Sequence, residues 1–266
     1  MIFCVREIWS VRRLQTTAVT LFLSVLLLAC AAARAEDGIS SRDSLHLAVA
    51  ADFSEVARRL ADDFSAEAGV PVTITSDSSG VLTSKIRDGA TFDVFLSADS
   101  ERPQELIDEG LAVPKPIVYA VGTLALYGPD LDLSADGDAL LRSADFATLA
   151  IADPETAPYG RAAIQTLNSL GLREALQDKL VIGENVRKTL DLVQSGKAAA
   201  GLVAFPDLDA RRLRAWVVPE RMHDPIDQAM VVLSAARQPE LAKQWIVFLT
   251  SAPARRIIEE AGFRLP

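Results

Sequence analysis

Residues 70–87 read VPVTITSDSSGVLTSKIR. The first six residues alternate in the manner of a β-strand, and the stretch from Val81 has the pattern of an α-helix. Between them, Ser78-Ser79-Gly80 places two hydroxyl groups and free backbone N–H groups where the helix begins. Such a helix N-terminus can hold an anion without a lysine or arginine, although most serines there only cap the helix. The stretch therefore predicts a strand–turn–helix unit that is suited to an anion.

The same alternation of short apolar strands and amphipathic helices continues along the chain. Strands are predicted at 45–50, 72–75, 92–96, 148–151, 180–182, 200–204 and 229–233. Helices are predicted at 54–68, from 80, and at 100–109, 160–170, 172–178, 186–195, 239–250 and 253–261. This order indicates mostly parallel sheets that are covered by helices on both faces.

One long apolar run indicates a connection between two domains. Residues 117–127, IVYAVGTLALY, are predicted as a single strand that crosses from one domain to the other. We therefore expect an α/β protein with two lobes, each a mixed, mostly parallel sheet flanked by helices, with two crossing strands as the hinge. Lobe 1 would be discontinuous, comprising 44–120 and 227–266, and lobe 2 would comprise 121–226. Because ligands bind beyond the carboxyl ends of parallel strands, the site is predicted in the cleft between the lobes.

Residues 1–35 have the features of a secretory signal peptide. Three arginines precede an apolar run at 17–29, and Ala33-Arg34-Ala35 forms a small-x-small cleavage site. The run is shorter than the roughly 20 residues that a spanning helix needs. An alternative is that Leu27-Leu28-Ala29-Cys30 is a lipoprotein processing site, at which Cys30 would carry a lipid. We favour cleavage after Ala35 and a periplasmic location.

Composition argues against several functional classes. The chain has 266 residues and a net charge of −9; cleavage after Ala35 removes four arginines and one glutamate and changes the charge to −12. Nucleic acid is therefore not an expected partner. Cleavage also removes Cys4 and Cys30, the only two cysteines, and the only histidines are His46 and His223. With no zinc-ligand, Walker or Gly-x-Ser-x-Gly motif, we expect no enzyme activity, no cofactor and no metal ligated directly by side chains.

Five short segments, in this order and spacing, resemble the periplasmic molybdate-binding proteins of ABC transporters. They are AVAADFSE at 48–55, SDSSGVL at 76–82, FDVFLSAD at 92–99, DPETAPYG at 153–160 and GENV at 183–186. The resemblance implies a type II periplasmic binding protein whose lobes close on a tetrahedral oxyanion. It implies molybdate as the ligand, tungstate as an equivalent one, and delivery to an ABC permease subunit. The alternative is a binding protein for another oxyanion or small ligand, such as sulfate.

The resemblance also assigns the ligand contacts. Ser79 falls on a hydroxyl ligand, with Ser78 in support, and Tyr159 and Val186 fall on backbone N–H donors at helix starts. Some members have a tyrosine where this chain has Ala204, so that contact is missing here. We further expect a monomer that reaches the membrane only through the permease or through a lipid on Cys30.

An acidic residue departs from the family pattern. Many members have Ser or Asn where this chain has Asp52, and a carboxylate that faced an oxyanion would be repelled. Residues 52–55, DFSE, match a capping box, so we predict that Asp52 caps the next helix and that Phe53 or Ser54 supplies the ligand's N–H donor. Direct contact of Asp52 with the ligand is the alternative. Asp52 and Asp77 together could instead favour a cation, a ligand that carries its own proton, or ligation of the metal by a carboxylate.

Overall fold

The computed structural model describes residues 44–131, 137–208 and 215–266. The predicted signal peptide at 1–35 and the lipid site at Cys30 lie outside the described residues. Within the described ranges the chain forms two five-stranded sheets, each flanked by helices. We call each sheet with its helices a lobe; lobe 1 holds the sheet that begins at residue 45.

The elements follow the predicted alternation of strands and helices. The strands are β1 (Leu45–Ala50), β2 (Val72–Asp77), β3 (Val94–Ser97), β4 (Ile117–Gly122), β5 (Leu124–Tyr127), β6 (Leu149–Ala152), β7 (Leu180–Gly183), β8 (Ala200–Ala204), β9 (Trp216–Val217) and β10 (Ile226–Val232). The α-helices are α1 (Ser54–Ala68), α2 (Ser79–Arg87), α3 (Glu101–Asp108), α4 (Gly137–Ser143), α5 (Pro158–Ser169), α6 (Val186–Gln194), α7 (Pro239–Leu249) and α8 (Ala252–Glu260).

Both sheets are mixed, as expected. The first has the order β2-β1-β3-β10-β4, in which β1 is parallel to β2 and β3, while β10 is antiparallel to β3 and β4. The second has the order β7-β6-β8-β5-β9, in which β6 is parallel to β7 and β8, while β5 is antiparallel to β8 and β9. The parallel strands are joined by helical crossovers, which explains the strand–helix alternation in the sequence.

Strand register places the ends of the parallel strands at common edges. Ala50, the last residue of β1, is opposite Asp77, the last residue of β2. In the second sheet Ala152 is opposite Gly183 at the ends of β6 and β7. Because a helix follows each of these strands, the N-termini of α1 and α2 are neighbours in lobe 1, and those of α5 and α6 are neighbours in lobe 2.

The predicted strand at 117–127 is instead two strands. β4 pairs in the first sheet and β5 in the second, and the chain passes between the lobes at Thr123. It returns through the segment from Val218, whose N–H donates to Leu124 O at 2.9 Å, into β10. The interruption at Thr123 lets the chain change sheets, which the apolar pattern alone does not reveal.

Two predicted helices also differ from the structure, and two short elements, α4 and β9, were not predicted. The helix expected at 172–178 is absent, and only a 3-10 turn forms at Gln177–Lys179. A segment of seven residues is too short for helix propensity alone to stabilise it. α5 begins at Pro158 rather than at 160, because proline is favourable in the first helical position, where its missing N–H is not needed.

Apolar side chains cover both faces of each sheet. On β1, Leu47 and Val49 face one core of lobe 1, whereas Ala48 faces a second core on the opposite side. The second sheet is covered in the same way by two further apolar clusters. Such burial on both faces is typical of parallel sheets and explains the short, wholly apolar strands of the sequence. Among the described residues, no helix is both long and apolar enough to cross a membrane.

Candidate functional site

The two lobes meet where helices of both begin. The Gly80 N–H, in the first turn of α2, donates to Thr156 O in the loop before α5 at 2.8 Å. Beside it, Arg102 Nη2 of lobe 1 donates to Glu155 O of lobe 2 at 3.1 Å. The residues that precede α1 also contact α6. The starts of α1, α2, α5 and α6 are thus gathered at one contact between the lobes.

All seven residues predicted to bind the ligand are buried near this contact. None of them is more than 3% exposed, although four carry polar side chains other than tyrosine. The set comprises Asp52, Phe53, Ser54, Ser78, Ser79, Tyr159 and Val186. Buried polar groups require partners, so the environment of each one indicates which groups are available to a ligand.

The hydroxyl of Ser79 is positioned by lobe 1 itself. Its Oγ accepts a hydrogen bond from the Ala98 N–H at 2.9 Å, just beyond the end of β3. The oxygen is thereby fixed while its proton remains available to an acceptor. The neighbouring Ser78 Oγ is buried, and no hydrogen-bond partner for it is found among the described residues. Both hydroxyls are therefore suitable donors to an oxyanion at the start of α2.

Asp77 has its hydrogen-bond partners within lobe 1. Its Oδ1 accepts from the Ser78 N–H at 2.9 Å, and its Oδ2 pairs with Lys85 Nζ at 3.0 Å. Both oxygens of the Asp77 carboxylate are therefore engaged by neighbouring groups of lobe 1.

The capping role predicted for Asp52 is wrong. Ala51–Phe53 forms a 3-10 turn, and α1 then begins at Ser54 without a side-chain cap. The other member of the expected capping box, Glu55, pairs with Arg58 at 2.8 Å instead. The turn directs Asp52 inward, where its Oδ2 accepts from Gln228 Nε2 of β10 at 2.7 Å.

Burial dominates the electrostatics of Asp52. Loss of hydration raises the pKa of Asp52 to about 7, and the Tyr159 hydroxyl, the Gln228 amide and the local backbone N–H groups only partly offset this effect. Tyr159 Oη is close enough to Asp52 to influence its pKa, yet no hydrogen bond of regular geometry to Tyr159 Oη is found within the described ranges. Burial and the charge on Asp52 in turn raise the pKa of Tyr159 well above its ordinary value, so the hydroxyl stays protonated.

The side chains of Phe53 and Ser54 have structural roles. The Phe53 ring packs edge-to-face against Tyr119 and Phe263, with ring centroids 4.9 and 5.3 Å away. Ser54 Oγ donates to Ala51 O at 2.8 Å, which uses its proton. Any contact of these two residues with a ligand would therefore involve their backbone.

In lobe 2 the backbone at two helix starts faces the lobe contact. Gly160 lies so close to Ala152 O that a Cβ atom on it would overlap the strand, and this glycine lets α5 begin directly against β6. At α6, Asn185 Oδ1 caps the helix by accepting from the Lys188 N–H at 3.0 Å. The backbone of Tyr159 and Val186 thus lies in the first turn of a helix, where N–H groups have no partner within the helix.

Three further polar residues lie near Asp52 and were not predicted from the sequence. They are Gln228 of β10, Asp207 after β8, and Arg187 in the first turn of α6. Arg187 Nη1 donates to Asp207 Oδ1 at 2.7 Å, whereas Asp207 Oδ2 is buried and has no partner among the residues described. Burial raises the pKa of Asp207 to about 7; Arg187 lowers it, and Asp52 adds to the rise.

A signal for two of these residues was present in the sequence. Gln228 is a polar residue inside the apolar strand β10, and Asp207 follows the carboxyl end of β8. Gln228 is buried and the side chain of Asp207 is only 2% exposed, which is unusual for such residues unless they are paired or functional.

An ion-pair network connects the lobes beside the site. Arg161 of α5 contacts Asp99 at 2.8 Å and also pairs with Glu101, and Arg102 pairs with the same Asp99. A cavity of about 190 Å³ adjoins this network, and four of its lining residues are the acids Asp99, Glu101, Asp224 and Asp227. Arg161 is the one cation among the lining residues, so the cavity has a net negative charge and suits an anion less well than the starts of α2, α5 and α6.

Two lobes that meet around buried helix starts define a binding protein that encloses a small ligand. The chain belongs to the bacterial extracellular solute-binding protein family, whose pattern matches residues 45–264. It is 38% identical over 218 residues to the molybdate-binding protein ModA of Rhodobacter capsulatus, a match covering 81% of this chain and 86% of that one. It is 35% identical over 244 residues to ModA of Azotobacter vinelandii, covering 90% and 94%.

The structure agrees with this relationship. The solved periplasmic molybdate-binding protein of Azotobacter vinelandii superposes with a TM-score of 0.78 at 32% sequence identity. The superposition covers 84% of this chain and 99% of that protein. The predicted two-lobed fold of periplasmic binding proteins is thereby confirmed.

Proposed function

We propose that this protein binds molybdate between its two lobes and delivers it to the permease subunit of an ABC transporter. Two relatives that are more than one third identical over most of the chain carry molybdate binding in their names. We also propose that lobe 1 comprises 44–120 with 227–266 and that lobe 2 comprises 121–226, since the chain changes sheets near these positions.

The observation that carries the proposal is the set of neutral donors gathered between the lobes. Lobe 1 offers the hydroxyls of Ser78 and Ser79, and lobe 2 offers the first backbone N–H groups of α5 and α6, at Tyr159 and Val186. Helix N-termini carry a partial positive charge that favours an anion. Neutral donors of this kind can hold a dianion and still release it to a permease, because each such bond contributes only about 1.5–3 kcal/mol.

The size of the oxyanion decides which one is favoured. Hydroxyl and N–H groups can donate to any tetrahedral dianion. Discrimination between oxyanions must therefore come from the size of the cavity that forms when the lobes close. We propose that tungstate, which is also a tetrahedral dianion, binds as molybdate does. Sulfate would be rejected because its size does not match the cavity. No reaction is catalysed, no cofactor is used, and no side chain ligates the metal.

We further propose that the protein acts in the periplasm as a monomer. The family is extracellular by description, and residues 1–35 supply the export signal. After export, contact with the membrane would be made through the permease, or through a lipid if processing occurs at Cys30.

Titration calorimetry with molybdate, tungstate and sulfate tests the proposal. We expect one site per chain, similar affinities for molybdate and tungstate, and an affinity for sulfate lower by at least about 100-fold, or 2.7 kcal/mol. A thermal-shift series with the same anions provides an independent readout, because a ligand that binds the folded state raises its stability by mass action. Tight binding of sulfate without binding of molybdate would replace molybdate with sulfate as the ligand.

A further inference from the structure

We propose that Asp52 binds the oxyanion as a neutral carboxylic acid, so that one proton is taken up from solvent with each ligand. This inference rests on the proposed function and concerns the same site. In the bound state the proton would lie on Oδ1, the carboxyl oxygen that Gln228 does not engage, and the acid O–H would donate to an oxygen of the ligand. One O–H bond forms on Asp52, and the solvent or buffer loses the proton.

The position of Asp52 supports this assignment. The residue is 2% exposed, it lies in the turn before α1, and that turn packs against α6 of the other lobe. Its one side-chain hydrogen bond of regular geometry, among the residues described, comes from Gln228 at 2.7 Å. Together with the Tyr159 hydroxyl and the local backbone N–H groups, this amide only partly offsets the cost of burying the carboxylate.

The charged and titratable groups around Asp52 do not supply a positive charge. From β4 and α5 the hydroxyls of Tyr119 and Tyr159 face it, and both are held protonated by burial and by its charge. From the segment after β8, Asp207 adds a second buried carboxylate. Within the described ranges, Arg187 of α6 bonds Asp207 rather than Asp52.

Glu55, on α1, is exposed, and two arginines offset its charge. It contacts Arg58 at 2.8 Å, and Arg187 approaches it at 3.9 Å. Since Arg187 pairs with Asp207, the Asp52 carboxylate is the buried charge without a cationic partner that a dianion would meet, and a proton on Asp52 removes it. With burial already raising the pKa of Asp52 to about 7, the approach of the dianion would raise this pKa further.

Calorimetry at about pH 8 in buffers with different ionisation enthalpies measures the proton directly. We expect the uptake of about one proton per molybdate, and a dissociation constant that rises about tenfold per pH unit between about pH 7 and 9. In Asp52→Asn, whose amide is nearly the same shape and is always able to donate, uptake should vanish and the dissociation constant should become independent of pH.

Asp207→Asn is the matched control, because it removes the other buried carboxylate. This variant should still take up a proton. Uptake that persists in Asp52→Asn and disappears in Asp207→Asn would overturn the assignment, as would molybdate binding by the wild type with no proton uptake. A wild-type protein that shows no molybdate binding at any pH from about 6 to 9 would contradict the proposed function itself.

Discussion

At the scale of single residues, the candidate site depends on how each polar atom is already engaged. Ser79 Oγ accepts a hydrogen bond from the Ala98 N–H, so its own proton is still free to be donated. Ser54 Oγ instead donates its proton to Ala51 O. Both are buried serines close to a helix start, yet only Ser79 retains a donor for a ligand. The difference follows from hydrogen-bond direction, which the residue type does not specify.

Ser79→Ala should weaken molybdate binding by about 1–3 kcal/mol, because one oxygen of the buried ligand would lose its donor. Titration calorimetry measures the loss. The control is Ser76→Ala, which removes an exposed hydroxyl from β2 two residues before the turn. Unchanged affinity in Ser79→Ala would remove this serine from the site.

The raised pKa of Asp52 also predicts how stability depends on pH without ligand. The folded protein holds the proton up to about pH 7, while the unfolded chain releases it near the ordinary value of 3.8. Because the folded state binds more protons between these values, its stability should fall as pH rises from about 4 to 7 and become level above that range. Urea unfolding across this range should show that the stability of Asp52→Asn depends less on pH than that of the wild type. The same pH dependence in both proteins would contradict the raised pKa of Asp52.

At the scale of elements, the start of α5 depends on close contact between a helix and a strand. Gly160 faces Ala152 O of β6 with no space for a Cβ atom. Pro158 begins the same helix two residues earlier and needs no hydrogen bond for its nitrogen. This Pro-x-Gly arrangement brings the helix N-terminus, with its free N–H groups, directly to the edge of the second sheet.

Gly160→Ala should destabilise the protein by about 1–3 kcal/mol, since the added methyl group would push α5 away from β6. Molybdate affinity should also fall, because the backbone N–H groups of α5 would move. Urea unfolding and calorimetry measure the two effects. Asn168→Ala, at an exposed position of the same helix, should leave both values nearly unchanged. A Gly160→Ala protein of normal stability would show that the helix can shift at little cost.

At the scale of the whole molecule, the lobes are joined by few polar contacts. The Gly80–Thr156 hydrogen bond and the ion pairs of Arg161 cross between them. A Cβ atom on Gly80 would lie 2.8 Å from Thr156 O, closer than van der Waals contact allows. The lobes can therefore approach this closely at Gly80 only because this residue has no side chain.

Gly80→Ala should hinder lobe closure without harming lobe 1. Alanine is the better helix former by about 0.5–1 kcal/mol, so lobe 1 itself should not lose stability. Molybdate affinity should fall at least several-fold, and the ligand-induced rise in melting temperature should shrink. The comparison with Gly160→Ala is informative, because that variant should lose stability as well. Full affinity in Gly80→Ala would mean that the lobes do not need this contact to hold the ligand.

The sequence by itself determined the strand–helix order, the two-sheet plan and the helix starts that carry the candidate site. These features depend on hydrophobic periodicity and on turn residues, which are local. The sequence did not predict where the first crossing strand is interrupted or that no helix forms at 172–178. Which sheet a strand joins, and whether a short helix is stable, depend on distant contacts.

Only the tertiary structure decided what surrounds Asp52. Its partner Gln228 is 176 positions away along the chain, and Tyr159 and Asp207 reach it from the other lobe. The local pattern around residue 52 matched a helix cap, but the energy of a buried carboxylate depends on the groups that enclose it rather than on its sequence neighbours. Enclosure by both lobes therefore makes this acid part of the candidate site.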